Sequence, residues 1–543
     1  MTPLPYHSQR QAVVFLLAGL LLLLASRFVR ADSPGSTTFD AIPADLEQRI
    51  RQLEESQKTL LEQNRRLSSQ IQSASFQART FATDINSDGM IIPPAPGNDN
   101  LPAKLSSGPE IDASIPEPSQ RLATPSFDTS AEFPREATLP LVDPVYRASK
   151  FFADFDRGFV IRPTNMDDSP FELKINAQNQ IRYTGFSRAD ATWTDSAGVV
   201  SPLDNMSSFQ IPRGRIIFSG FAFRKELLYN LNIDYNTVGN SQINFRAYWL
   251  AWRFSRAMTV YAGQSKVPGS REWLESFVNT LGADRSMATT FFRPSLSQGI
   301  WATGEPTTGV FYHVMMSNGF NTLGATPQQL SSTMAFSGST WWEPLGTFGP
   351  GYSDFEFHEE PAIRLGTSLT YAPEHGPQGI SSAPENSAIR LSDGTLITDP
   401  GAIAPGVTLN GFKIGLASID LAYKYRGLGI SGEFFSQNLF ALNGSGPLPR
   451  SAIRQYGGFA QAGYFIVPQK IETYARTSQV TGPYGSGSEY AGGFNLFLLP
   501  GKQNLRFTFD AAWLNHCPAD QNRTNYQAGQ TGLLVRSQLQ MYF

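Results

Sequence analysis

The sequence predicts an all-β fold, a transmembrane antiparallel β-barrel, preceded by three shorter segments of different character. Charged residues make up only 16% of the 543 residues, while glycine (47), phenylalanine (39) and tyrosine (19) are plentiful. From residue 150 onward, apolar and polar residues alternate with a period of two, the pattern of strands with one apolar and one polar face. An N-terminal export signal also indicates that the chain leaves the cytoplasm. These observations favour a membrane barrel over a soluble domain.

Residues 1–31 are expected to be a secretory signal peptide. Arg10 precedes an apolar run over residues 12–25, and the Val-Arg-Ala sequence that ends at Ala31 is a suitable cleavage site. An uncleaved anchor helix is the alternative, although the run is shorter than the roughly 20 residues of a typical membrane span. The sequence contains no other apolar stretch of about 18 residues, so further membrane residence requires strands.

Residues 44–72 are predicted to form a short coiled coil, because apolar residues follow a heptad spacing over nearly four heptads. Gln57 and Asn64 lie in the same seam, and polar residues at such positions commonly set the register and the number of helices. We therefore expect self-association, with packing on the same chain as the alternative; dimer and trimer stay open. The predicted core positions are Leu46, Ile50, Leu53, Leu60, Leu67 and Ile71.

Residues 73–149 are predicted to be a linker rich in proline and serine. No hydrophobic periodicity persists in this segment, and acidic residues are frequent. Such a composition buries too little apolar surface to offset the entropy of folding. The linker is expected to be extended where prolines cluster and otherwise disordered. It separates the coiled coil from the predicted barrel domain, residues 150–543.

The barrel domain repeats one kind of segment, and residues 171–183, 229–235, 419–425 and 505–513 are clear examples. A soluble β-sandwich would also show alternation. However, charges lie deep within segments of about ten residues, and aromatic residues recur near their ends, as membrane-crossing strands require. Closure into a barrel also removes exposed strand edges. The domain has room for about 14–18 strands, and a barrel that wide leaves an aqueous channel.

Residues 261–305 contain an ordered set of motifs. A strand ends in Gly-Gln-x-Lys-x-Pro; an acidic, serine-containing segment, an Arg-Ser pair and a glycine-bearing strand follow. The residues at these places are Gly263, Gln264, Lys266, Pro268, Glu275, Arg285, Ser286 and Gly299. This stretch resembles the diagnostic region of the phosphate-selective porin (O and P type) family. The resemblance extends over about residues 150–543 and leaves the three N-terminal segments outside.

The resemblance implies a barrel of about 16 strands in the cell outer membrane, usually a homotrimer, whose long loops fold inward and narrow a water-filled pore. It implies passive diffusion of small hydrophilic solutes, with basic residues that draw anions such as phosphate. The expected partners are outer-membrane lipid, these solutes and further copies of the chain, while the coiled coil and linker would lie in the periplasm. The alternative is a structural protein whose coiled coil tethers the membrane to the cell wall or to a periplasmic partner.

Basic residues on polar strand faces, or in the matched stretch, are the predicted anion-binding residues. From Lys150 onward there are 22 arginines and 8 lysines against 29 acidic residues, so selectivity depends on the few side chains that line the pore. Arginine suits phosphate or carboxylate because its planar fork donates paired hydrogen bonds. A salt bridge or a solvated charge is the alternative for each. The predicted residues are Lys174, Arg182, Arg213, Arg215, Arg246, Lys266, Arg271, Arg285 and Arg293.

The C-terminal sequence VRSQLQMYF predicts the last barrel strand and an assembly signal. A terminal aromatic residue with apolar residues at alternating positions before it resembles the signal that the barrel-assembly machinery reads in outer-membrane proteins. Arg536, Gln538 and Gln540 are expected to face the lumen. The residues expected to face lipid and to form the signal are Val535, Leu539, Met541 and Phe543.

Several classes of function are disfavoured. The net charge of −3 offers no basic surface for nucleic acid. The single cysteine, Cys517, cannot form an intrachain disulfide or a cysteine-based zinc cluster, and the five histidines have no metal-ligand spacing, so no cofactor is predicted. His313 and Ser317 lie about 13 Å apart along a strand, whereas a catalytic pair needs about 2.6–3.2 Å. We therefore expect no enzyme.

Overall fold

The computed structural model describes residues 151–165, 170–238, 243–325, 330, 333–375 and 389–543. The predicted signal peptide, coiled coil and linker lie outside these residues, so those predictions stay predictions. Within the described ranges, no helix is both long enough and apolar enough to cross a membrane.

Strands dominate the described residues. In chain order they are β1 (Phe151–Phe155), β2 (Phe159–Pro163), β3 (Phe171–Arg188), β4 (Thr192–Thr194), β5 (Val200–Pro202), β6 (Met206–Ala222), β7 (Arg224–Tyr235), β8 (Ile243–Ser255), β9 (Met258–Lys266), β10 (Leu296–Thr307), β11 (Val310–Ser317), β12 (Ala335–Trp342), β13 (Ala362–His375), β14 (Leu409–Tyr425), β15 (Leu428–Gly444), β16 (Ala452–Val467), β17 (Ile471–Gly482), β18 (Gly485–Leu499), β19 (Lys502–Asn515) and β20 (Gly532–Tyr542).

Sixteen of these strands, β3 and β6 to β20, close an antiparallel barrel. Each pairs with the next along the chain, and β20 pairs with β3 to complete the wall. The prediction of a barrel of about 16 strands is therefore confirmed. Strands β1 and β2 form a hairpin that continues the wall beside the first residues of β3, and β4 and β5 form a small separate hairpin.

Alternation along each strand separates an apolar outer face from a polar inner face. In β20, Leu539 and Met541 are 40% and 44% exposed, whereas Arg536, Gln538 and Gln540 are fully buried. The same alternation places Trp513 outside and Asp510 inside on β19. Because the exposed face is apolar and the enclosed face is polar, the barrel is suited to lipid outside and water inside.

The two ends of the barrel differ in the length of their connections. Short turns join β6 to β7, β8 to β9, β10 to β11 and β14 to β15, and we call this the short-turn end. Chain closure at Phe543 lies at the same end. Most connections at the opposite end, the long-loop end, are longer, although only two residues join β17 to β18. One of the long connections folds into the lumen. A second segment, residues 343–361 between β12 and β13, enters the lumen from the short-turn end.

Residues 267–295, between β9 and β10, form the constriction loop. It contains helices α1 (Arg271–Leu274) and α2 (Met287–Phe292) and a 3-10 turn over Phe277–Asn279. Ser270 and Ser286 cap the two helices, each accepting a hydrogen bond from a backbone N–H at 3.1 Å, as serine does at the start of a helix. The loop is anchored on the opposite wall by hydrogen bonds from the backbone N–H groups of Arg271, Ala283, Met287 and Ala288 to Glu433, Asp510, Glu489 and Ser478.

Residues 343–361 meet the constriction loop inside the barrel. The N–H of Gly351 donates to Glu275 Oε2 at 3.3 Å, and Arg271 Nη2 donates to the Gly351 carbonyl at 3.0 Å. Phe355 anchors the segment by packing against Phe465 and Phe497. The lumen is therefore narrowed from both ends.

The filled and open parts of the lumen lie on opposite walls. Several inner-face side chains on β8 to β12, which we call the open wall, keep partial solvent exposure; examples are Arg246, Trp249, Tyr261, His313 and Trp341. Those on β14 to β20 are buried beneath the loops, including Asp420, Glu433, Glu472, Arg476, Glu489, Arg506 and Asp510. The accessible part of the lumen therefore lies along the open wall, and we call it the passage.

Candidate functional site

Four cationic side chains surround Trp273, which projects from helix α1 and is 2% exposed. Arg293, Lys266, Arg285 and Arg246 lie 4.2, 5.2, 5.3 and 5.8 Å from an indole ring centroid. These distances are within the range of cation–π attraction, for which tryptophan is the best side chain. We call these five residues the Trp273 cluster.

Local structure brings the cluster together from three parts of the chain. Arg246 is the extra residue of a β-bulge, because Asn232 pairs with Ala247 while Ile233 pairs with Phe245. A bulge of this kind redirects a side chain, here into the lumen. Lys266 ends β9, and Arg285 and Arg293 flank helix α2. The constriction loop thus holds two of the cations against two from the wall.

Backbone carbonyls, rather than carboxylates, hold the cations of the cluster. Lys266 Nζ donates to the carbonyls of Trp273, Leu274 and Glu275 at 2.8–2.9 Å. Arg285 and Arg293 likewise donate to carbonyl oxygens. Among the described residues, none of the four cations forms a salt bridge with a carboxylate. The ammonium group of Lys266 thereby uses all three of its donors, while Arg246 and Arg293 remain partly exposed within the lumen.

The constriction-loop members of the cluster are electrostatically strained. Burial, followed by repulsion from Arg213, lowers the pKa of Arg285. Burial, followed by repulsion from Arg285, also lowers the pKa of Arg293. Bringing an anion among such groups relieves the repulsion and favours their charged forms. The cluster can therefore bind a small anion through charge-assisted hydrogen bonds.

Three further predicted arginines form salt bridges with aspartates. Arg182 and Arg213 both donate to Asp284, at 2.8 Å and at 2.6 and 2.9 Å, and Arg215 donates to Asp234 at 2.9 Å. Burial alone would raise the pKa of the Asp284 carboxyl, but the guanidinium groups of Arg213 and Arg182 hold it well below its usual range. Arg182 and Arg213 thereby join the constriction loop to the wall, whereas the Arg215 pair lies within the wall.

The last two predicted basic residues lie apart from the cluster. Arg271 lies against Phe348 and Tyr352, with ring centroids 5.1 and 4.5 Å from its guanidinium carbon, and so joins the two inward segments. Lys174 is half-buried on β3, opposite Ser219. The structure therefore brings together four of the nine predicted residues and separates five.

The predicted C-terminal residues take the faces expected of them, with Val535, Leu539 and Met541 on the outer face of β20. Phe543 pairs with Ala177 through backbone hydrogen bonds of 3.0 and 3.1 Å. Its ring packs against Phe155 and Phe159 of the N-terminal hairpin, at centroid distances of 6.4 and 5.5 Å.

Other polar groups that could carry chemistry are already engaged. Ser317 donates to the Gly319 carbonyl at 3.1 Å and makes no contact with His313. Cys517 is buried in the β19–β20 loop, and burial raises the pKa of its thiol. Asp354, Glu356 and His358 lie together on residues 343–361, but Asp354 already accepts hydrogen bonds from Gly427 and pairs with His358.

Sequence reasoning missed Trp273 and the two aspartates that pair with arginines. Trp273 lies between Lys266 and Arg285 in the matched stretch, and Asp284 directly precedes Arg285, so both positions were visible. What the sequence did not reveal was that Asp284 would meet Arg182 and Arg213 rather than its neighbour.

The family model described as phosphate-selective porin O and P matches residues 181–543. No curated protein sequence matches the chain. Among solved structures, OmpF of Salmonella typhi in complex with daunomycin has a TM-score of 0.43 at 10% identity, covering 72% of this chain and 100% of that one. The outer-membrane channel DcaP of Acinetobacter baumannii has a TM-score of 0.43 at 8% identity, covering 69% of this chain and 97% of that one. The high-pH structure of OprB of Pseudomonas putida has a TM-score of 0.42 at 10% identity, covering 68% of this chain and 94% of that one.

Proposed function

Because the chain belongs to the phosphate-selective porin O and P family, we propose that its pore selects small anions, phosphate among them. The protein is an outer-membrane porin, and its 16-stranded barrel provides a passive, water-filled route for small hydrophilic solutes. Family and fold point to a channel rather than an enzyme. Phosphate is proposed as a solute because of the name of the family and the chemistry of the cluster.

The Trp273 cluster supports anion selection. Its cations lack carboxylate partners among the described residues, and three of them are partly exposed beside the open wall. Within a narrow lumen the field is set by such lining groups and is screened less than at an open surface. Guanidinium forks match the oxygens of phosphate or carboxylate. Since the contacts are few and reached through water, an anion can leave as well as bind, which conduction requires.

Planar-bilayer recording tests this proposal. Under a potassium chloride gradient, we expect a reversal potential with the sign of anion preference, and added phosphate should reduce the chloride current. The double variant Lys266→Gln/Arg293→Gln should lower the anion-to-cation permeability ratio several-fold. Lys502→Gln, which removes an exposed charge in the β18–β19 turn, is the matched control and should leave the ratio unchanged. A cation preference in the native protein would reject anion selection.

The remaining parts of the proposal concern assembly. The protein acts as a homotrimer, inserted by the barrel-assembly machinery through Val535, Leu539, Met541 and Phe543. The short-turn end faces the periplasm, as do the coiled coil and linker. The place of the N-terminal hairpin at that end supports this orientation, because the preceding residues connect there.

A further inference from the structure

Five aromatic side chains lie on the inner face of the open wall, where a water-filled barrel usually presents polar residues. They are Trp249 on β8, Tyr261 on β9, Trp301 on β10, Phe311 on β11 and Trp341 on β12, and we call them the aromatic row. Each is adjacent in sequence to a residue on the outer face. These outward neighbours are Leu250, Ala262, Ile300, Tyr312 and Trp342.

The rings of the row are aligned in two groups. Tyr261 contacts Trp249 edge-on at a centroid distance of 5.0 Å and stacks on Trp301 at 5.2 Å with an interplanar angle of 5°. Phe311 stacks on Trp341, also at 5.2 Å, with an angle of 14°. Trp301 lies opposite Met315, four residues along β11 from Phe311, so the two groups are separated by about 13 Å along the strands.

His313 and Thr303 lie between the two groups, opposite each other on β11 and β10. Among the described residues, Nε2 of His313 has no hydrogen-bond partner. The gap in the aromatic surface therefore offers a polar group with an unused hydrogen-bonding atom. A ligand that crosses from one group to the other would pass it.

The row is not part of a sealed core. Trp301 is 4% exposed and packs against Val267 and Met315, but Trp249, Tyr261, Phe311 and Trp341 remain half-buried. Exposed apolar surface costs free energy in water, and contiguous exposed patches commonly mark binding sites. The partial exposure of four rings beside the passage indicates a surface for a passing solute.

Cations lie at both ends of the row. At one end, Val267, which packs with Trp301 and Met315, directly follows Lys266 of the Trp273 cluster in the sequence. At the other, the Arg364 guanidinium lies 4.5 Å from the Trp341 centroid, although its charge is shared with Asp420 at 3.4 Å. The net positive end is therefore the one at the Trp273 cluster.

We infer that the first group of the row, Trp249, Tyr261 and Trp301, binds the ring of an aromatic carboxylate while the Trp273 cluster holds its carboxylate group; this inference rests on the proposed anion-selective pore. Aromatic rings favour offset or edge-on contacts with other rings, and guanidinium groups pair with carboxylate oxygens. An inorganic anion would use the cations alone, and a neutral sugar would use the rings alone. The solute class that uses both is a ring that bears a carboxylate.

Block of the chloride current by benzoate and by acetate tests the inference in planar bilayers. Benzoate should block at a lower concentration than acetate. In Trp249→Leu/Tyr261→Leu, its half-blocking concentration should rise about 10-fold, since leucine keeps the apolar character but removes the ring. Phe311→Leu/Trp341→Leu, in the group farther from the Trp273 cluster, should leave it nearly unchanged. Chloride selectivity should be unchanged. Trp342→Leu, which removes the outward neighbour of Trp341, is the matched control. Benzoate should block this variant at the same concentration as the native protein.

Several results would overturn the inference. These are equal block by benzoate and acetate, an unchanged benzoate block in Trp249→Leu/Tyr261→Leu, and a stronger block by maltotriose than by benzoate. A native channel without anion preference would reject the proposed function instead, so the two failures are distinguishable. The single variant Tyr261→Leu serves where a double variant does not fold, with the heat-dependent electrophoretic shift of the barrel as the folding check.

Discussion

Asp284 joins the constriction loop to the arginine-bearing wall. Its side chain is fully buried, and the pairs with Arg182 and Arg213 are buried with it. Removing one partner of a buried ion pair leaves an uncompensated charge, typically at a cost of about 3–5 kcal/mol. We expect Asp284→Asn to lower the temperature of the electrophoretic shift and to increase current noise. Asp520→Asn is the control, because its pair with Arg390 is partly exposed and worth less. Equal effects of both variants would contradict this role.

The same carboxylate sets the acid tolerance of the loop. Its pKa lies well below the ordinary value of about 3.9 because, despite the opposing effect of burial, two guanidinium groups stabilise the ionised form. Its stabilisation is therefore present at neutral pH and is lost only as the pH falls through the lower folded value. We expect equal current noise at pH 7 and at about pH 4.5. Loop loosening that begins at pH 5 would contradict this assignment.

Which basic residues stay available to solutes was not predictable from the sequence. Inner-face positions such as Arg182 followed from local alternation, and the structure places them inside. The pairing of Arg182 depends on Asp284, which is 102 residues away in the chain and reaches it only because the constriction loop crosses the lumen. Lys266 differs, since α1 presents carbonyls to it rather than carboxylates. Contacts across a lumen leave no periodic signal in a sequence.

At the scale of elements, strands were predictable and inward segments were only partly so. Period-two alternation is a local property, so the faces of β19 and β20 could be inferred directly. An inward loop was expected from the family resemblance alone. The entry of residues 343–361 from the short-turn end was not predicted, because its anchors, Phe465 and Phe497, belong to later strands. The N-terminal hairpin was also missed, although its aromatic residues alternate.

The hairpin and Phe543 together complete the seam between β3 and β20. Asn176 Nδ2 donates to the Phe543 carbonyl at 2.9 Å, beside the ring contacts with Phe155 and Phe159. We expect deletion of Phe543 to impair insertion into the outer membrane while secretion continues, because both the proposed assembly signal and the seam contact are lost. Cell fractionation measures both steps. Phe543→Tyr keeps the aromatic ring and should insert normally; normal insertion of the deletion variant would reject the role.

At the scale of the whole molecule, two inward segments divide the lumen into a filled half and an open half. The filled half buries charged side chains of β14 to β20 in loop contacts, which fixes the constriction. The open half carries the Trp273 cluster and the aromatic row. A domain with nearly balanced charge can therefore present a cationic passage, because its carboxylates are engaged elsewhere. Total composition could not reveal that division, since it depends on where each charge lies.

The proposed trimer needs a source of association, and the coiled coil predicted over residues 44–72 is one source. A helix of this length is marginal in water unless it associates, and its apolar seam offers a self-complementary surface. We expect deletion of residues 44–72 to reduce the crosslinked trimer and to lower the temperature at which it dissociates, while the barrel still inserts and conducts. Deletion of a linker segment of the same length, residues 101–129, is the matched control and should preserve the trimer. An unchanged trimer in both deletions would assign association to the barrel walls instead.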